Sequence, residues 1–238
     1  MRITFIGASH GVPEANRKCS CTMIEISSRY YFIDMGTPPI DYLVTAGIPV
    51  DAVKGVFITH MHGDHTNGLV SFVDLISWYF KTADPTICLP NIEGAKAIET
   101  WLNVTQSSAR ALHYEEVQPG VIFEDGFLKV TAIPTLHTKG SYAYFLEAEG
   151  KSILFTGDLK HPDQDFPVIA KERETDLLVC ESAHFQATDY LPHLQVCKTK
   201  QVYINHYQGK MIPSVLQLAE AMGEIPVKMA YDGSVIRL

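Results

Sequence analysis

Three histidines and an aspartate crowd into His60-Met61-His62-Gly63-Asp64-His65, directly after the apolar run GVFIT. Imidazole nitrogens and carboxylate oxygens are the ligands that zinc, manganese and iron share. On extended backbone, residues two apart point the same way, so His60 and His62 can grip one cation together. A turn at Gly63 would then swing Asp64 and His65 towards a second cation. Paired hydrolytic metals sit about 3.5–4 Å apart. This spacing differs from H-E-x-x-H, which places two histidines one helical turn apart.

Four residues leave two cations short of ligands, and three later positions are candidates to complete them. His137 follows the apolar strand pattern VTAIPTL, Asp158 ends SILFTGD and His206 ends VYIN. A carboxylate such as Asp158 has two oxygens and can bridge two ions. A lone strand-end histidine or aspartate is ordinarily a cap or a solvated surface group, so each of the three gains weight only from the others.

The elements that must position these residues are legible in outline. RITFIGA, CTMIEI, YYFIDMG and GVFITH are short apolar β-rich runs bounded by Gly, Pro, Ser or Asp, as strands are. TNGLVSFVDLISWYF carries Leu69, Phe72, Val73, Ile76 and Phe80 at helical spacing, with Thr66 or Asn67 as the expected cap. PTICLP reads as a strand and NIEGAKAIETWLNV as a helix. Strand patterns return in GVIFED, FLKVTAIPT, SYAYFLEAE and KSILFTGD. DLLVCES, QVYINHY and VKMAYDG then read as strands, and ATDYLPHLQVCK and PSVLQLAEAMG as wholly or partly helical. A strand-rich block followed by helix thus occurs twice, over roughly 1–110 and 120–238. The expectation is a single α/β domain over 1–238, a four-layer αββα sandwich of two mixed sheets with helices outside.

The chain has 238 residues, 46% hydrophobic and 19% charged, enough to bury a sizeable core. Its net charge of −8 argues against a general nucleic-acid surface, which carries a basic excess. No apolar run is long enough to span a membrane, and the opening MRITFIGASHGVPEA reads as strand and loop, not a secretory leader. Five scattered cysteines are expected to be reduced thiols in the cytoplasm. Cys19 and Cys21 form a C-x-C pair whose expected role is packing.

The order and spacing of these residues resemble the metallo-β-lactamase superfamily, through H-x-H-x-D-H and the later His, Asp and His. The resemblance covers nearly the whole chain. It implies an αββα fold with a dinuclear site. His60, His62 and His137 would hold one ion, Asp64, His65 and His206 the other, and Asp158 would bridge. Asp34, in FIDMG, would orient a ligand histidine by hydrogen bond. Zinc is the expected ion, with manganese and iron as alternatives.

Within the superfamily, GASHGVPEANRKCSCTMIEI, LHTKGSYAYFLEAEGKSILFTGD and DLLVCESAHF resemble ribonuclease Z and related phosphodiesterases. There a histidine in the last segment donates a proton. Here Cys180 stands in that place and His184 follows four residues later, so His184 is the candidate donor. Asp64 is the candidate acceptor for the proton of the attacking water, itself activated as a metal-bridging hydroxide, and His10 is a candidate to touch substrate. Ribonuclease Z carries a long tRNA-binding arm between the third ligand histidine and the bridging aspartate. His137 and Asp158 are only 21 positions apart, filled by a hairpin pattern, which disfavours tRNA. The expected substrate is a small anionic phosphodiester. A thioesterase or lactonase of the same superfamily and a non-catalytic metal-dependent sensor remain as alternatives. Members of the superfamily are often dimeric, so a homodimer is open, though no sequence feature specifies it.

Overall fold

The computed structural model of the chain describes residues 1–12, 14–107 and 110–238. Its strands are β1 (Arg2–Gly7), β2 (Cys21–Ile26), β3 (Arg29–Ile33), β4 (Val53–Phe57), β5 (Thr86–Leu89), β6 (His113–Glu116), β7 (Gly120–Glu124), β8 (Lys129–Thr135), β9 (Ser141–Ala148), β10 (Lys151–Phe155), β11 (Leu177–Ser182), β12 (Val202–Tyr207), β13 (Val227–Met229) and β14 (Val235–Arg237). Its α-helices are α1 (Ile40–Thr45), α2 (Gly63–Trp78), α3 (Glu93–Val104), α4 (Pro162–Asp165), α5 (Ile169–Glu172), α6 (Leu191–Leu194) and α7 (Ile212–Met222).

Among the described residues the strands form two sheets of seven, ordered β14-β1-β2-β3-β4-β5-β6 and β13-β12-β11-β10-β9-β8-β7. Each begins as antiparallel hairpins and continues as parallel strands: β3 to β6 in the first, β10 to β13 in the second. Parallel neighbours need a crossover, and the helices are those crossovers. Two hairpins close on two-residue turns with both residues at positive φ, Ser27-Ser28 and Glu149-Gly150, the twist that matches right-handed strands.

The alternation of side chains along the strands builds three apolar layers. Between the sheets lie Ile3, Phe5, Tyr31, Ile33 and Phe57 from one and Val130, Tyr144, Leu146 and Phe155 from the other. The opposite faces of the same strands bury Ile6 and Phe32 against α1–α3, and Ala143 and Phe145 against α4–α7. Each fully buried large side chain here contributes about 1.5–3 kcal/mol of transfer free energy. The expected four-layer αββα sandwich is therefore observed. None of the described helices is long and apolar enough to cross a membrane.

Three details differ from the sequence expectations. Helix α2 starts at Gly63 with His62 at its N-cap, in extended conformation, and neither Thr66 nor Asn67 is the cap. The Thr66 hydroxyl donates back to the His62 carbonyl at 2.9 Å, an interaction made inside a helix. The supposed turn at Gly63 is thus the helix's first residue, and Asp64 and His65 stand in its first turn. Helix α1 and strands β6 and β14 carried too little periodicity to be read. β14 returns from the second half to pair with β1 in the first sheet.

Strand directions fix where chemistry can gather. The pairings make β8, β10, β11 and β12 run the same way, and β1, β3 and β4 likewise share one direction. The loops after these strands meet at one edge of the sandwich.

Candidate metal centre

At that edge the seven residues picked out by spacing come together. His60 Nε2 lies 3.0 Å from His62 Nδ1, which lies 3.3 Å from His137 Nε2. Asp64 Oδ2 lies 3.6 Å from His65 Nε2 and 3.5 Å from His206 Nε2. Asp158 faces both groups. Its Oδ2 is 3.7 Å from His60, 3.7 Å from His137 and 3.3 Å from His206, and its Oδ1 is 3.6 Å from His65.

The carboxylate–imidazole separations of 3.5–3.7 Å are long for direct hydrogen bonds and suit ligands that share a cation. Ligands about 2.0–2.1 Å from a tetrahedral ion stand about 3.3–3.4 Å from one another. Among the described residues, His65 Nε2 and Asp158 Oδ1 are both buried and have no hydrogen-bond partner, an arrangement that costs free energy unless something between them is bound. The donor set is therefore positioned to hold metal.

The backbone supplies each side chain by a specific local device. Asp34 and His206 both sit at positive φ, 59° and 47°, a region that a non-glycine residue occupies only when its surroundings impose it. Gly157, at φ 58°, leads from β10 to Asp158, and a Cβ there would meet the Tyr142 carbonyl at 2.7 Å. Gly36 lets the loop after β3 lie against α2, since its Cβ would fall 1.6 Å from the Asp64 carbonyl.

Hydrogen bonds behind the site set which nitrogen of His65 and of His206 faces it. Asp34 Oδ2 takes His65 Nδ1 at 2.7 Å, while the Thr59 amide donates to Asp34 Oδ1 at 2.8 Å. His206 Nδ1 donates to the Ser9 carbonyl at 3.2 Å. Burial, and then the neighbouring His65, push His60 down to about 2, and burial lowers His137. Burial would raise Asp158, but His206 and His65 outweigh it and hold the carboxylate well below its usual range. The lowered His60 and His137 and the ionised Asp158 are in the forms that bind cations. At His65, by contrast, burial is outweighed by Asp34 and Asp158, which raise it well above its usual value, so an ion bound there displaces its Nε2 proton.

His184 stands at the mouth, its side chain 38% exposed, with its ring 4.6 Å from that of His137 and its Nδ1 3.8 Å from Asp158 Oδ2. The buried Glu181 carboxylate holds Nδ1 at 2.7 Å. Glu181 is itself fixed by the Leu159 amide at 2.7 Å and the Ala183 amide at 3.0 Å. The hydrogen bond that His184 donates to Glu181 is the main cause that raises His184 to about 8. Cys180 is buried in the outer apolar layer, and burial pushes its thiol well up.

His10 is 6% exposed and engaged within its own loop: Nδ1 accepts from the Val12 amide at 3.2 Å and Nε2 lies 3.8 Å from Glu14. Cys21 is buried in the apolar layer beneath α1–α3, and neither it nor Cys19 is paired.

Two contributors escaped sequence reasoning. Glu181 was one step from the residues singled out, and a carboxylate inside an apolar strand end was the available signal. Asp165, in α4, accepts from the amides of Leu136 at 2.7 Å, Lys160 at 3.0 Å and His161 at 3.2 Å. It thereby ties the loop of His137 to the loop of Asp158, and nothing in its local sequence announces that role.

Two facing seven-stranded sheets, flanked by helices, with a His/Asp cluster at one edge define the metallo-β-lactamase fold. Within it, the chain belongs to the family described as Anti-Pycsar protein Apyc1, whose family model matches residues 1–225. It is 30% identical over 155 residues to Ribonuclease Z of Listeria innocua, which is 63% of this chain and 50% of that protein. The chain thus spans about half the length of the curated relatives it matches first. Among solved structures it resembles the short form of human tRNase Z, with a TM-score of 0.78 at 19% identity, covering 100% of this chain and 99% of that one. It also resembles a diphosphatase from the PhnP family, with a TM-score of 0.71 at 17% identity, covering 100% and 97%.

Proposed function

We propose that this chain is a dinuclear metal-dependent hydrolase that cleaves a small anionic phosphodiester in the cytoplasm, with zinc as the ion. The observation that carries the proposal is the position of Asp158, whose two oxygens stand within 3.7 Å of donors from both histidine groups. His60, His62 and His137 form one ligand set, and Asp64, His65 and His206 the other. Asp34 keeps a proton of His65 on Nδ1 and leaves Nε2 facing an ion. When bound, two divalent cations at such a centre bring the pKa of a water towards neutrality and take up the negative charge that grows on the substrate's oxygens.

The remaining steps belong to the chain's own groups. Asp64 accepts the proton of the attacking water. His184 Nε2 protonates the leaving oxygen. Glu181 holds the other ring nitrogen, fixes the ring's orientation and keeps it charged near neutral pH. The diphosphatase and ribonuclease names among its relatives support phosphate ester chemistry. The interval between His137 and Asp158 is filled by β9 and β10 and their two-residue turn, which together with the net charge of −8 supports a small substrate over tRNA. The five cysteines are free thiols, in keeping with a reducing compartment.

The test is metal analysis of freshly purified protein combined with a panel of bis-p-nitrophenyl phosphate, a thioester and a lactone. Two ions per chain and turnover of the diester support the proposal. Preferential thioester or lactone turnover replaces the substrate class, and bound metal without turnover of any substrate indicates a sensor.

A further inference from the structure

The loop between β1 and β2 lies against Asp64 and His206: a Cβ on Gly11 would fall 2.7 Å from Asp64 Oδ2, and the loop's anchoring points back to His206. Asp232 pins both ends of the loop, accepting from the amides of Ala8 at 3.0 Å and Lys18 at 2.8 Å. Inside it, Arg17 makes three different contacts. Its guanidinium donates to the Ala8 carbonyl at 3.0 Å, pairs with Glu14 and lies 4.2 Å over the ring of Tyr207. Glu14 Oε1 in turn accepts from the Gly209 amide at 2.9 Å.

These contacts bracket one residue. Ser9, next to Ala8, supplies the carbonyl that orients His206 and forms an isolated bridge with Tyr207. Tyr207 follows His206 directly in the chain, and Gly209 comes three positions after it. His206 itself holds φ at 47°, a conformation that persists only when neighbours over-determine it. A planar guanidinium that hydrogen-bonds, pairs and stacks at once is the group suited to that task.

We infer that Arg17, aided by Glu14, is a positioning residue for His206: it clasps the loop after β1 to the end of β12 and so sets the geometry of one of the two ion sites. The inference rests on the reading that His206 is a metal ligand. The side-chain contacts of Arg17 are with Ala8, Glu14 and Tyr207, none of them a ligand residue.

The experiment is titration of the metal-free full chain with Zn2+, using a competing chelator to resolve the two equivalents, for wild type, Arg17→Met, Arg17→Lys and Glu14→Gln. Partners behind metal ligands change affinity by about 10–100-fold. Arg17→Met is expected to weaken one equivalent by at least about tenfold on that scale and leave the other near wild type. Arg17→Lys recovers part of the loss, because the ammonium still pairs with Glu14. Glu14→Gln falls between wild type and Arg17→Met, and decides the matter should Arg17→Met fail to fold. Wild-type affinities for both equivalents in Arg17→Met, or in Glu14→Gln where Arg17→Met does not fold, overturn the inference. A wild-type chain that binds fewer than two equivalents instead overturns the dinuclear reading beneath it.

Discussion

Asp34 Oδ2 stands 2.7 Å from His65 Nδ1, and the opposite nitrogen of the same ring is buried without a partner. A carboxylate thus fixes the orientation of a fully enclosed imidazole so that its Nε2 faces the site. Asp34→Ala should lower metal affinity by about 10–100-fold, read by chelator competition. Asp34→Asn should do less harm, because an amide oxygen can still accept from Nδ1. Unchanged metal affinity in Asp34→Ala would remove Asp34 from this role.

His62 is exposed at the N-cap of α2, makes no side-chain capping bond there and lies outside the apolar layers. His62→Ala should strip metal and abolish hydrolysis while changing stability by only about 0.5 kcal/mol in the metal-free protein, as surface substitutions do. Thermal unfolding of the metal-free pair and metal analysis of both proteins check the two halves separately.

His184 makes a prediction about leaving groups and pH. Loss of a general acid costs about 10²–10⁴-fold where the leaving oxygen needs a proton. His184→Ala should therefore slow diesters with poor leaving groups far more than p-nitrophenyl diesters, and equal slowing of both excludes it as donor. Its pKa is raised from 6.5 to about 8, so the ring keeps its proton through neutrality and loses it as pH rises through about 8. Hydrolysis of a poor-leaving-group diester should fall above that pH in wild type, and the fall should be absent in His184→Ala.

Asp165 ties together backbone next to two ligands. Asp165→Ala leaves three amides without their shared acceptor, at about 1–3 kcal/mol for each that water does not satisfy. The expected result is a lower unfolding temperature together with reduced metal retention, because the loops of His137 and Asp158 both loosen. A loss of stability with metal retention intact would confine Asp165 to the scaffold.

The sequence was most readable where one residue type answered to one physical demand. His60, His62, Asp64 and His65 announced themselves because such density of ligands is hard to explain otherwise, and His137, Asp158 and His206 stood out as polar ends of apolar strands. Strands such as SYAYFLEA, which is buried along nearly its whole length, were visible from apolar character and turn residues. What stayed hidden depends on distance in space. Asp165 acts through amides 4 to 29 positions away, and Glu181 acts on a loop amide 22 positions earlier. β6 has the polar sequence HYEE, and β14 gains its place only by pairing with β1 from the far end of the chain. The start of α2 was misplaced because glycine and histidine are poor helix formers, yet Asp64 and His65 are held in its first turn by the close approach of Gly36 and the carboxylate of Asp34.

The central claim is that two ions share Asp158. It is tested most directly by anomalous diffraction at the zinc edge from crystals of the full chain grown with zinc. Two peaks about 3.5–4 Å apart are expected, one among His60, His62 and His137, the other among Asp64, His65 and His206, with an Asp158 oxygen about 2.0–2.2 Å from each. A single peak, or a pair that Asp158 does not touch, would contradict it.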